Sequence, residues 1–202
     1  MCIRDRYTLL ETNLLILNLL SDEQMEHLVV NRSIDFSFSL SFDRDRRFRA
    51  TVYFDMDNLA MNMRQINNEI RPFKDLNLHP EVARYLSLKY LKYGLTLVTG
   101  ITGSGKSTTL DTIIDANNRS VRGHIVIVAS PIELVHKPQK CIIRHREVGR
   151  DVSSFRDGIV QAMRQDPDIV VIGELRDNVA IRNALEVTDS GHKVFSLSLI
   201  HI

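Results

Sequence analysis

Apolar residues change their period twice along this chain. Over 13–28 the leucines at 14, 15, 17, 19 and 20 read as a helix, and Ser21-Asp22-Glu23-Gln24 suits a fresh helix start. Ile34, Phe36, Phe38, Leu40 and Phe42 then alternate with Asp35, Ser37, Ser39 and Ser41, the period of a half-buried strand. Residues 43–47 form a charged turn. Phe48, Ala50, Val52 and Phe54 alternate with Arg49, Thr51 and Tyr53 in a second strand, and after a turn at 55–58 residues 59–66 form a third. Two hairpins sharing one apolar face need a helix or another sheet to cover them. The expectation is a small α+β domain over 7–70 that lacks its beginning.

Beyond it the apolar positions stop alternating and cluster into continuous runs. Residues 67–78, with Pro72, read as a linker whose core is 71–78. Pro80 suits the first turn of a helix over 81–91, with His79 before it. Residues 95–99 read as a short buried strand and 107–116 as a helix start. Ile125-Val126-Ile127-Val128 is β-branched throughout, which predicts a strand buried on both faces. Cys141-Ile142-Ile143 is shorter and suits an edge. A helix over 153–165 carries Phe155, Ile159, Ala162 and Met163 on one face and stops before Pro167. Ile169-Val170-Val171-Ile172 is a second buried run ending in Gly173-Glu174. A helix over 178–187 follows, and Val194-Phe195 begins a last strand. Strands alternating with helices predict an α/β fold on a mostly parallel sheet.

Composition narrows the class. The chain has 202 residues, 44% hydrophobic and 25% charged, which suits a globular fold of one large domain or two small ones. A formal net charge of +1 gives no electrostatic case for nucleic acid or a membrane surface as the main partner. The two cysteines, Cys2 and Cys141, make no metal-ligand spacing and suit a reducing compartment, with Cys141 a small buried apolar group. The longest apolar stretch, around 14–20, is far short of the ~20 residues of a membrane span. No signal-peptide pattern appears. Residues 1–6 and 197–202 read as foreign ends and are set aside from fold reasoning.

One stretch carries chemistry outright. Gly100-Ile101-Thr102-Gly103-Ser104-Gly105-Lys106-Ser107 matches the phosphate-binding P-loop and sits between a predicted strand and a predicted helix. Its glycines allow backbone N–H groups to turn inward onto phosphate oxygens, and the helix N-terminus adds partial positive charge. Lys106 would reach the β- and γ-phosphates of ATP, and the Ser107 hydroxyl would ligate Mg²⁺. Ligands of open α/β sheets sit at the carboxyl ends of the strands. The run ending at Glu174 delivers an acid to that edge, suited to hold Mg²⁺ or its waters. Glu133, after the other buried run, is placed to orient or deprotonate an attacking water. His192 is a lone histidine, more often a packing or hydrogen-bonding residue than a catalytic one. Arg156, Arg164 and the basic run 44–47 read as solvated faces.

These motifs also carry a resemblance. Asp35-Phe-Ser-Phe38, Leu97 through Leu110 with the P-loop inside it, Ser130-Pro-Ile-Glu-Leu-Val-His136, Arg146-Glu-Val-Gly-Arg-Asp151, Asp166 through Asp177 and Gly191-His-Lys-Val-Phe195 resemble the PilT-like retraction ATPases of the type II/type IV secretion ATPase superfamily. The likeness covers about 20–196 and implies a RecA-like P-loop ATPase domain (79–196, incomplete) behind a partial PAS-like domain (7–70). It implies a cytoplasmic homo-oligomer, a hexameric ring peripheral to the inner membrane. That ring would work on a pilus platform protein there and hydrolyse ATP with Mg²⁺ to power pilus retraction and twitching motility. Gly100 to Ser107, with Thr108, are implied to bind nucleotide. Glu133 falls on the family's catalytic glutamate, Glu174 on its atypical Walker B glutamate and His192 on the first histidine of its histidine box. Arg49 and Arg64 match arginines that the N-terminal domain offers to the nucleotide.

The chain departs from the family pattern at Ala129-Ser130, where Glu-Asp is usual, which removes two carboxylates beside the γ-phosphate. The family's second histidine falls at Leu199. Two rivals follow: a nucleotide-binding ring subunit that hydrolyses weakly, and a related secretion or pilus-assembly ATPase. The implied hinge motion turns on 67–78.

Overall fold

The structure is a computed structural model that describes residues 7–66, 69–175 and 178–198. The chain clusters into two units, Met1–Asn68 and Glu69–Ile202.

In the first unit α1 (Leu9–Leu17) and α2 (Asp22–Asn31) precede a three-stranded antiparallel sheet of β1 (Ser33–Leu40), β2 (Asp43–Asp55) and β3 (Asn58–Gln65). The helical stretch expected over 13–28 is two helices, the second starting at the Ser21–Gln24 signature. The first ends at Leu17 with Asn18 as its cap, and Ser21 caps the second: its hydroxyl accepts Gln24 N–H, and the Gln24 side chain accepts Ser21 N–H. Ile16, Leu20 and Leu28 pack with Ile34, Phe36, Ala50 and Val52, so the helices cover the apolar face of the sheet. The charged turn expected at 43–47 is strand instead. The chain reverses at Ser41-Phe42, and β2 already pairs with β1 at Asp43 opposite Leu40. Phe42, expected to continue the inward alternation, is 85% exposed at that reversal.

In the second unit five parallel strands lie in the order β4-β8-β7-β5-β6: β4 (Gly94–Thr99), β5 (His124–Ala129), β6 (Ile142–Glu147), β7 (Ile169–Leu175) and β8 (Lys193–Ser198). Alternate residues of the β-branched runs serve opposite faces. Ile125, Ile127, Ile169, Val171 and Phe195 pack with Ile113 and Ile114 of α4 (Lys106–Ser120). Val126, Val128, Val170, Ile172 and Val194 pack with Ile159 of α5 (Phe155–Met163) and Ala184 of α6 (Asn178–Asp189). This is a mixed α/β fold with helices on both faces, as continuous apolar strands require.

Several boundaries differ from the sequence reading. Helix α3 (Pro80–Leu86) stops well short of 91 because Asn117 of α4 takes over its end. Asn117 Nδ2 donates to Leu86 O at 3.1 Å, and its Oδ1 accepts Leu88 N–H at 2.8 Å. The linker region contains a 3₁₀ helix (Phe73–Leu76), and Phe73, Leu76 and Leu78 pack on the α4 side of the sheet. Strand β4 lies at a sheet edge rather than inside it, which leaves Leu97 38% exposed. Strand β8 continues through Leu197 and Ser198, opposite Val98 and Thr99, so those two belong to the sheet. Cys141 is buried, and burial pushes its thiol pKa up, in keeping with a packing role.

Candidate active site

The parallel sheet brings five strand ends to one edge: Thr99, Ser198, Leu175, Ala129 and Glu147. The glycine-rich loop leaves that edge from β4. Gly105 takes φ +89° and opens α4, so the helix begins at Lys106 with its first N–H groups bare. Lys106 arches back over the loop, and its Nζ donates to Ile101 O at 3.0 Å. Its ammonium therefore lies over the same turn that the helix N-terminus faces. Ile101, Thr102, Gly103, Ser104, Ser107 and Thr108 are exposed around it. An exposed anion-accepting loop with a lysine folded across it is suited to phosphate by charge and by donor density.

Glu174 lies within β7, one residue before its end, and is half-buried. Strand β8 separates β7 from β4, so Glu174 stands two strand spacings, roughly 10 Å, across the edge from the strand that feeds the loop. Glu133 follows β5 by four residues and is also half-buried. Both acids therefore belong to the edge that carries the glycine-rich loop. Arg49 and Arg64 are elsewhere in the chain, directly opposite each other on β2 and β3. Arg49 also lies 3.7 Å from Asp35.

His192 does not join this edge. It precedes β8, its carbonyl accepts Gly94 N–H at 3.2 Å, and Ser190 Oγ is 2.9 Å from its Nδ1. That is the amino end of β4 and β8, a full strand or roughly 20 Å from the loop. The motif that singled it out identifies a residue, not the end of the strand on which it falls. Leu199, the position of the second expected histidine, lies outside the described residues.

Sequence reasoning missed a group beside the loop helix. Asp111 on α4 lies 3.1 Å from His136 Nε2, and His136 N–H donates to His145 Nε2 at 3.1 Å. His136 closes the Ser130–His136 motif with nothing in its spacing to mark a role, and Asp111 carries no sequence signal. Lys193 was missed as well: it is 1% exposed, and burial pushes its ammonium pKa down to about 8.

The residues themselves test the fit of a magnesium nucleotide. A Cβ placed on Gly103 or Gly105 would meet open space, so no protein atom crowds the loop beside these two residues. Ser107 and Glu174 offer hard oxygen donors, the ligand type magnesium takes alongside phosphates. Among the described residues no group of three or more His, Cys, Asp or Glu forms a metal cage, and no helix is long and apolar enough to cross a membrane.

A parallel α/β sheet with a glycine-rich loop running into a helix, and two acids on the loop's edge, defines an α/β protein with an anion-accepting site at its strand ends. The chain belongs to the type II/IV secretion system protein family, whose family model matches residues 46–202. It is 36% identical over 185 residues to the type IV pilus retraction ATPase PilT of Pseudomonas aeruginosa, covering 92% of this chain and 52% of that protein. It is 33% identical to the type IV pilus ATPase PilU of the same organism, over 90% of this chain and 46% of that one. A crystal structure of the pilus retraction motor PilT with bound ADP superimposes with a TM-score of 0.81 at 39% identity, over 91% of this chain and 52% of that one. The chain spans about half the length of these relatives.

Proposed function

We propose that this chain is part of an ATP-hydrolysing motor subunit that powers type IV pilus retraction. The observation that carries the reading is Lys106 folded over a glycine-rich loop at the start of α4, on the edge that also bears Glu133 and Glu174. Gly100 through Gly105, with Ser107 and Thr108, bind the phosphates through N–H groups and the helix N-terminus, and Lys106 balances the β- and γ-phosphate charge. Ser107 and Glu174 hold Mg²⁺, which supplies charge neutralisation on the phosphates. Glu133 orients the attacking water and takes its proton. Arg49 and Arg64 keep the charge-balancing role that the resemblance implies, and the subunit works in a homo-oligomeric ring, a hexamer, against a platform protein at the inner membrane.

For His192 we propose a structural role within its own subunit, because its neighbours are Gly94 and Ser190 at the amino end of the sheet.

Steady-state ATP turnover tests the reading. The chain, continued by the remaining half of the Pseudomonas aeruginosa PilT sequence, is compared with its Lys106→Ala variant. Turnover in the parent that disappears in the variant is the expected result; equal turnover in both removes Lys106 from the site. A second reading, a ring subunit that binds nucleotide and hydrolyses it weakly, is favoured by Ala129-Ser130 on the same edge. Nucleotide binding without turnover in the parent selects it.

A further inference from the structure

The connection from β5 to β6, residues 130–141, holds no helix or strand, yet it carries Glu133. A loop of that kind positions a side chain only if something fixes it. Helix α4 fixes it at three points. Asn118 Nδ2 donates to Lys137 O at 2.9 Å, while its Oδ1 accepts Gln139 N–H at 2.9 Å. Cys141 Sγ donates to Val121 O, at the end of the helix, at 3.2 Å. The third point is nearest to Glu133: His136, three residues on, has its Nε2 against Asp111 Oδ1 at 3.1 Å. Ile132, on the other side of Glu133, is buried in the core that α4 shares with the sheet.

His136 is unusual for a loop histidine. Its side chain is 1% exposed, against 30% for Asp111. Its ring stacks on that of His145, with centroids 6.2 Å apart and planes 9° apart. Its main-chain N–H donates to His145 Nε2, so that nitrogen carries a lone pair and the loop is pinned to β6 as well. Its Nδ1 is buried without a hydrogen-bond partner. Among the described residues, the polar contact of the imidazole that offsets its burial is therefore Asp111, about one and a half helical turns beyond Lys106 on the helix that opens at the glycine-rich loop.

We propose that Asp111 and His136 are positioning residues that hold the Glu133 loop in register with the phosphate-binding start of α4. The proposal rests on the ATPase reading for what Glu133 does, but its geometry does not. The pair makes the distance from the loop lysine to the candidate base a property of one rigid helix rather than of a free connection, and a 1 Å misplacement of such a base costs up to ~100-fold in rate.

Two measurements test it. In the chain itself, amide hydrogen exchange is followed in the parent, in Asp111→Ala and in Asp111→Asn. Faster exchange over 132–137 in Asp111→Ala, with the α4 amides still protected and with Asp111→Asn close to the parent, is expected. Unchanged exchange over 132–137 in Asp111→Ala overturns the proposal, and so does loss of protection throughout α4. In the extended protein, Asp111→Ala is expected to lower kcat roughly 10-fold to 100-fold with KM within about twofold. Asp111→Asn is expected to recover most of the loss, and adding Glu133→Gln to Asp111→Ala to cost little more than Glu133→Gln alone. A loss that multiplies with that of Glu133→Gln means Asp111 acts independently of Glu133, which overturns the proposal. If the parent does not hydrolyse ATP, the ATPase reading falls, while the exchange data still decide whether Asp111 and His136 hold the loop.

Discussion

Lys193 Nζ donates to the main-chain carbonyl of Tyr85 at 2.6 Å, from the amino end of β8, inside the sheet beside β4, to the last turn of α3. A second bond runs to Leu91 O at 3.1 Å. Both partners are carbonyl oxygens, so the ammonium is solvated by dipoles rather than balanced by charge. That is why burial dominates and lowers its pKa from 10.5 to about 8. The group is charged in the unfolded chain up to about 10.5 and in the folded one only up to about 8. Between those values the unfolded state binds more protons, so folding stability gains from this group as pH rises through that window. Urea unfolding between pH 7.5 and about 10 should therefore show a rise in the parent that is missing from Lys193→Met. Parallel pH curves for the two proteins would sink the assignment.

Asn117 joins α4 to the chain on either side of Ser87. It is 2% exposed and bonds Leu88 N–H, Leu86 O and Ile113 O. Asn117→Ala leaves a buried N–H and a buried carbonyl without partners, at ~1–3 kcal/mol for each such group. A loss of roughly 2–4 kcal/mol of folding stability is expected by denaturant titration. A loss under about 0.5 kcal/mol, the range of ordinary surface substitutions, would mean the contacts are not maintained in solution.

What the sequence made legible was what local periodicity controls. The runs at 125–128 and 169–172 are strands β5 and β7, and the glycine-rich stretch sits between a strand and a helix. What it hid was set from a distance. The end of α3 depends on Asn117, 31 residues away in sequence from Leu86, and no local breaker marks it. The insertion of β8 between β4 and β7 is a matter of topology, and it fixes how far Glu174 lies from the loop. His192 and Glu174 both adjoin strands, but at opposite edges of the sheet, and only the order and direction of the strands distinguish them. Lys193 reads as a surface lysine until the strand is placed in the interior of the sheet.

Gly105→Ala separates strain from occlusion. The residue has φ +89°, which costs an L residue ~1–2 kcal/mol, and the added methyl points into open space rather than into a neighbour. A fall of several degrees in Tm is expected, together with loss of most nucleotide binding, read with a fluorescent ATP analogue. Binding retained at parental affinity would mean that phosphate binding does not need the left-handed turn at Gly105.

Arg49 and Arg64 face each other across two strands, so the sheet places two guanidinium groups side by side on one face. Like charges directly opposite are unfavourable for a sheet, by up to ~1 kcal/mol. Asp35, 3.7 Å from Arg49, offsets part of that cost, and the proposed ATPase reading gives the pair a second use, the charge of a phosphate. Arg64→Ala is expected to leave the urea midpoint close to the parent and to lower ATP turnover of the extended protein by ~1,000-fold, the low end for an arginine that stabilises a transferring phosphoryl. Stability lost without loss of turnover would make the pair structural.

The same edge makes a gain of function testable. Ala129 ends β5 beside Gly173 of β7, where a Cβ on Gly173 would lie 2.8 Å from that of Ala129. The missing side chain at 173 is what lets a Cβ stand at 129 in the middle of the sheet, and Ala129 itself is only half-buried. A longer side chain at 129 therefore has a way out along the edge, and Ser130, also half-buried, is the first residue past the strand. Ala129→Glu with Ser130→Asp returns two carboxylates to the edge shared by Glu133, Glu174 and the glycine-rich loop. If charge there limits turnover, the double variant should hydrolyse ATP at least ~10-fold faster than the parent at unchanged nucleotide affinity, which is about 1.4 kcal/mol of barrier. Gly173→Ala in the same background should cancel the gain, because the new methyl would occupy the space the glycine leaves. Equal rates in the parent and the double variant, with both folded, would show that Glu133 and Glu174 supply all the carboxylate chemistry the reaction needs.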